Sequence, residues 1–395
     1  MDRTHRRSPS SLAFTPLLLL VPLLASCGGD TSTPLAPNSP ELNRGGGVAN
    51  RSVSPTGADV GNCGAAPCLT INYAIGQAAA GDKIAVGPGT YHESVSVTKR
   101  LLLVGHDATI DATGQASPPN GVVISGADAA GTVLTGFTVK NAGLEGIFVN
   151  KTSRITIENN TVVENDTYGP FNPLCVAQPD DCGEAVHLQS VTNSIVRHNL
   201  VQNNIGGILL TDEDGPTSGN LIADNRVLDN TLDCGITLAS HWFDLAGPAA
   251  PGVAGVYRNT VLHNVSNGNG AAGIGVFAGP PGAAAWGNLV ANNTAKNNGF
   301  AGVMIHSHTP GQNADQNAII HNTLAGNGID DDNPVDDAPA GISVFSAVTP
   351  IPHTVIVANL ISDEHYGIIT LNAAKLLGLP SNKFASSVAV PISIH

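Results

Sequence analysis

Glu213 and His241 are the side chains of this sequence whose chemistry is most readily stated. A carboxylate beside an imidazole orients the ring and raises its basicity, so the pair could serve as a general base. Trp242 and Asp244 follow His241 in the same segment, and an indole can lie against a sugar face. His306-Xaa-His308 would project two imidazoles from one face of a strand, a geometry suited to a transition metal. Asp212 and Asp214, and the acidic run from Asp330 to Asp337, supply oxygen ligands of the type calcium takes. The candidate catalytic residues are therefore His241 and Glu213. The candidate substrate contacts are Trp242, Asp244, His187 and Phe277, and the candidate metal ligands are His306, His308, Asp212 and Asp214. These roles require that residues far apart in the chain meet on one surface.

An internal repeat supplies such a surface. From residue 146 onward a small residue precedes two apolar positions that flank a variable one. Gly146-Ile147-Phe148-Val149, Ala185-Val186-His187-Leu188, Gly207-Ile208-Leu209-Leu210 and Gly235-Ile236-Thr237-Leu238 are the first four copies. Gly273, Gly302, Gly341 and Gly367 open four more. Apolar residues two apart share one face of a strand, so each copy is a short strand with one buried face. Counting from the first apolar residue, outward positions fall at offsets 1, 3 and 5. His187 is at offset 1, Phe277 and His306 are at offset 3, and Glu213, His241 and His308 are at offset 5. Parallel neighbours lie about 4.8 Å apart, which places Glu213 beside His241. Gly275 and Gly279 then leave a notch between the coils of His241 and His306.

A second phrase alternates with the first: Asn, four residues, Asn. The pairs are Asn160/Asn165, Asn199/Asn204, Asn225/Asn230, Asn259/Asn264, Asn293/Asn298 and Asn322/Asn327. Asn tolerates left-handed backbone angles, and its amide can bond along a stack. A constant inner pattern with a variable remainder describes a fixed coil carrying insertions. Coils of this kind bury a continuous core that no single repeat could bury alone.

Composition excludes several classes. Hydrophobic residues make up 42% and charged residues 12%, which rules out disorder over most of the length. Gly has no three-residue period, so the chain is not collagen-like. The net charge of −14 would repel a phosphate backbone, so no nucleic acid partner is expected. Arg3, Arg6 and Arg7 precede an apolar run from Leu17 to Leu24, too short to span a membrane. Small residues then lead to Cys27, and residues 27–51 read as a flexible tether rich in Pro, Gly and Ser. Loss of residues 1–26 would leave a mature charge of about −16. An exported chain meets oxidising conditions, so Cys63–Cys68 and Cys175–Cys182 are expected as local disulfides. Cys234 is expected to be a buried, inert thiol.

These repeats resemble those of the right-handed parallel β-helix superfamily, the architecture of pectate lyases and polygalacturonases. The likeness covers residues 52–372 and implies an all-β, single-stranded right-handed solenoid, with residues 373–395 as a C-terminal cap or tail. Thr70 is placed to cap a helix whose Ile71, Ala74, Ile75 and Ala78 share a face, similar to the short helix that plugs the first coil in that superfamily. The leader, residues 1–26, resembles a bacterial lipoprotein signal peptide, which implies acylation of Cys27, a lipid-mediated membrane contact, and residence at the outer membrane or cell surface. For function the resemblance implies an extracellular polysaccharide bound or processed along the outward face, by a lyase, an epimerase or a glycoside hydrolase, with calcium as the suggested cofactor. The match is incomplete. Gly89, Tyr91 and Glu93 fit a pectin methylesterase element, but the catalytic motifs of the named enzymes are missing and Lys and Arg are scarce on the presumed groove. A non-catalytic surface scaffold or adhesin is the alternative on the sequence.

Overall fold

The computed structural model describes residues 51–115, 119–167, 183–328, 339–372 and 375–395. The leader and Cys27, the Cys175–Cys182 pair and the acidic run from Asp330 to Asp337 lie outside the described residues. Within them the chain winds as parallel coils, and the repeated phrase forms one sheet. Ile147, Val186, Ile208, Ile236, Ile274, Val303, Ile342 and Ile368 are successive register partners. These residues and their partners two positions on, from Val149 to Val344, point inward and are at most 1% exposed. Each such side chain contributes roughly 1.5–3 kcal/mol of burial, and only the stack provides it. The alternation read from the sequence therefore sets the register of the sheet that carries the candidate site.

The remaining wall is a second parallel sheet of mostly three-residue strands, and its corners explain the asparagines. One ladder runs Asn160, Asn199, Asn225, Asn264, Asn293, Asn322, Asn359 and Asn382, each backbone N–H donating to the next side-chain oxygen. A second runs from Asn165 through Asn204, Asn230, Asn269 and Asn298 to Asn327. A third links Ser194, Asn220, Asn259, Asn288 and Asn317. The pair Asn259/Asn264 thus belongs to the third and first ladders, not to the first and second. The middle coils carry three ladder positions, and the Asn-four-Asn spacing alone does not tell which two of the three corners a pair occupies.

The backbone role of the asparagines also differs from expectation. The left-handed residue is the one before the ladder position: His198, Asp224, His263, Asn292 and His321 precede members of the first ladder with φ of 54–56°. The ladder Asn itself is selected for its amide, which satisfies buried backbone groups where the chain turns. In a water-free corner an unpaired N–H would be costly, so the amide is the part that cannot be replaced.

Both ends are built from the sequence as expected, with two adjustments. The helix Ile71–Gln77 is capped by Thr70 and buries Ile71, Ala74 and Ile75. Glu93 accepts from the backbone N–H groups of Ile71 and Asn72, so the Gly89/Tyr91/Glu93 element serves the cap. Cys63 and Cys68 are bridged beside it, with Cα atoms 5.1 Å apart. The first strand begins at Arg51, one residue into the expected tether. Residues 375–395, expected as a cap or tail, form a further coil: Leu376–Leu377, Lys383–Phe384 and Val390–Ile394 each pair in parallel with the preceding turn.

Glu364 ends the second ladder, where a carboxylate takes the asparagine position. It accepts from the backbone N–H and the Nδ2 of Asn327. Burial raises its carboxyl to about 7 despite those hydrogen bonds, and Asp363 adds to the rise. Between pH 4.5 and about 7 the folded chain holds a proton that the unfolded chain has released. Stability therefore falls as pH rises through that window and is level above it. Glu364→Gln is expected to raise stability at pH 7.5 by up to about 3 kcal/mol and to leave it little changed at pH 4, measured by denaturant unfolding.

Candidate functional site

Strands Gly206–Thr211 and Ile236–Ser240 end side by side, and each runs into a turn that leaves the sheet. Asp212 fixes both turns. Its Oδ1 accepts from the backbone N–H of His241 at 2.7 Å and of Trp242 at 3.2 Å. Its Oδ2 accepts from Ser240 Oγ at 2.8 Å and from the Gly255 N–H at 2.6 Å. The carboxylate is fully buried, and burial raises its pKa in spite of the four donors. Its oxygens are committed to the fold. Asp212 is a clamp that brings the start and end of the 241–255 insertion together, and not a metal ligand.

The clamp sets Glu213 and His241 against each other. Glu213 Oε1 lies 2.7 Å from His241 Nδ1, as the offset argument required. A carboxylate accepts only, so Nδ1 carries a proton, and in the neutral form of the ring the lone pair is then the one at Nε2. The other oxygen, Oε2, accepts from the Thr211 hydroxyl at 2.5 Å. That hydroxyl has one proton to give, so at 2.8 Å it must accept from Nε2–H of His187. His187 Nδ1 in turn lies 3.6 Å from Glu145 Oε1, and Glu145 is held by the Asn120 amide. A polar line thus crosses five turns of the stack, ending at the partly accessible His241. Burial alone would raise Glu213. The His241 hydrogen bond, the charges of His187 and His241 and the Thr211 hydroxyl outweigh it and bring the carboxyl to about 2. Glu213 therefore stays ionised at any physiological pH. The stability it contributes is present above its ordinary value of 4.5 and is lost as pH falls toward 2.

Several expected members take other places. His187 is buried, 5% exposed, and acts inside the line instead of touching a ligand directly. Trp242 is half-buried against Ala249, Ala254 and Ala284, so its indole supports the insertion. Asp244 is exposed and accepts from the Ala246 N–H within its own turn. The notch expected at Gly275 is filled: a Cβ there would stand 2.3 Å from the ring of Phe277. Phe277 in turn meets the edge of His306, whose ring packs against both His308 and Phe345. The two histidines belong to an aromatic cluster in place of a chelate. Asp214 is paired with Lys151 at 3.0 Å. Among the described residues no three His, Cys, Asp or Glu side chains are arranged to hold a metal ion, so the proposed metal set does not fit. Cys234 is buried, and burial followed by the nearby Asp233 pushes its thiol well up, as expected of an inert group.

Glu145 and Asn120 were missed. Each stands in the turn just before a strand, outside the two-residue alternation, so periodicity carries no signal for them. Thr211 is an outward residue to which the sequence assigned no role, because a threonine there is ordinary on a strand.

A family model described as the right-handed β-helix region matches residues 117–324. The chain belongs to the right-handed β-helix family. No curated protein sequence matches it. Among solved β-helix structures, the A-module of mannuronan C-5 epimerase AlgE4 from Azotobacter vinelandii is similar with a TM-score of 0.53 and 14% identity, over 79% of this chain and 88% of that one. The AlgE6 A-module of the same organism has a TM-score of 0.50 and 12% identity over 79% and 89%. The catalytic domain of a GH87 alpha-1,3-glucanase has a TM-score of 0.51 and 14% identity, covering 87% of this chain and 56% of that one. At such identities the likeness is one of fold. Among the described residues no helix is long and apolar enough to cross a membrane.

Proposed function

We propose that this β-helix protein binds and processes an extracellular polysaccharide at the outward face of its strand-end turns, with His241 as general base. The observation that carries the reading is the ionised Glu213 held 2.7 Å from His241 Nδ1 at a partly accessible edge. Nε2 would take the proton of a water or sugar hydroxyl as that oxygen bonds to the anomeric carbon. The imidazolium, stabilised by Glu213, would return a proton to the departing glycosidic oxygen as the glycosidic C–O bond breaks. That several β-helix structures similar in fold carry the names of polysaccharide epimerases and a glucanase supports the substrate class. The test is a panel of polysaccharides incubated with the purified chain and followed by chain length, by unsaturated product and by sugar configuration. Absence of binding and of turnover across the panel would remove the reading.

A second reading has its own support. Over the later coils the outward face is filled by Cys234, Met304 and Ile369 packed with Ala271, Ala272, Ala301 and Ala340. Such a closed surface suits a scaffold or adhesin in which the stack is the product. In either case we propose export and anchoring through a lipidated Cys27, on the strength of the leader. Cys27→Ser is then expected to shift the protein from the membrane to the soluble fraction, and continued recovery with membranes would refute the anchor.

A further inference from the structure

Charge and exposure around the insertion narrow the ligand. Among the described residues, Lys151 is the one Lys or Arg carried by the sheet that bears the site, and it is paired with Asp214. Arg197, Arg226 and Lys296 all lie on strands of the other sheet. Between Arg258 and Lys375 the sequence contains no Lys or Arg except Lys296, and none stands in 168–182. Glu213, Asp214 and Asp244 meanwhile present carboxylates at the site itself, and Glu145 lies behind them. Among the described residues no three His, Cys, Asp or Glu side chains assemble a cation site beside them. A polymer carrying one carboxylate per sugar would meet these carboxylates, and among the described residues the strands of this sheet set only the paired Lys151 against them.

The insertion offers a different kind of contact. Phe243 is 62% exposed, two residues beyond His241, and it is held from both sides. Asp212 grips the N–H groups of His241 and Trp242, while the Asp244 N–H donates to the Pro281 carbonyl at 2.9 Å and the Ala249 N–H to that of Gly282. Trp242, the residue before Phe243, packs against Ala249, Ala254 and Ala284. An exposed aromatic ring on a pinned backbone is preorganised for the apolar face of a sugar, with little ordering needed on binding.

We propose that the site takes a neutral polysaccharide, stacked on Phe243, and not a polyuronate. This rests on the polysaccharide reading above and deepens it. The test uses the full mature chain and isothermal titration with neutral glucans, mannans and galactans, and with polymannuronate and polygalacturonate, each with and without calcium chloride. A neutral polymer is expected to bind with little dependence on salt, and Phe243→Ala to weaken that binding about tenfold with an unchanged melting temperature. Binding of a polyuronate with no neutral binder would overturn the proposal and leave the polysaccharide reading standing. No binding by any polymer would remove both. A neutral binder whose affinity ignores Phe243→Ala would overturn the stacking assignment.

Discussion

His241→Gln is expected to lower turnover on the polymer identified by the panel by about 10²–10⁴-fold, the usual worth of a general base. Gln retains an N–H that can reach Glu213 but has no basic nitrogen, so the change isolates proton transfer from packing. Glu213 keeps its hydrogen bond from Thr211 in the variant, and the local loss of stability should not exceed about 1 kcal/mol. Glu213→Gln should lower turnover too, because a neutral amide cannot stabilise the imidazolium. The double variant should be little worse than His241→Gln alone, since the two residues act as one unit. Rates and unfolding curves must be measured on the same preparations. Unchanged turnover in a folded His241→Gln protein would eliminate the base and leave the scaffold reading in front.

Why this pair was legible in the sequence, while its surroundings were not, follows from the fold. A β-helix converts sequence alignment of its repeats directly into spatial adjacency, because each coil stacks in register on the last. Ile208 and Ile236 are register partners, so equal offsets from them had to meet, and Glu213 and His241 did. The offset rule says where a Cα lies but not where a long side chain folds. Phe277 shows the limit: its Cα is where alternation puts it, yet its ring turns over Gly275 and closes the notch. Trp242 shows another. It stands in an insertion with no counterpart in other coils, so nothing periodic distinguishes an indole that faces a ligand from one that supports a loop. The ladder register is ambiguous for a different reason. Two asparagines five residues apart look alike whichever corners they occupy, and only Asn220, Asn288 and Asn317 reveal the third row.

Asp212 is where the largest structural loss is expected. Each of its oxygens faces two donors, and Ser240 Oγ, having given its proton to Oδ2, accepts the N–H of Ala284 in turn. Asp212→Asn keeps the size of the side chain but must place an NH₂ against one pair of donors. Whichever way the amide turns, two buried donors lose their acceptor and a third group of the same polarity is forced upon them. Leaving such groups unsatisfied costs about 1–3 kcal/mol each, so the variant should lose about 2–5 kcal/mol in all. The loss should be local at first, since a coil stack opens by units and the clamp joins only the turns at 212, 241 and 255. Hydrogen exchange should therefore quicken at the amides of His241, Trp242 and Gly255 before the inward strands are affected. Polymer binding and turnover should fall with it, because both Glu213 and Phe243 are aimed by the turns that Asp212 ties. Protected amides at 241, 242 and 255 in Asp212→Asn would show that the insertion holds itself, and the positioning role assigned to the clamp would be wrong.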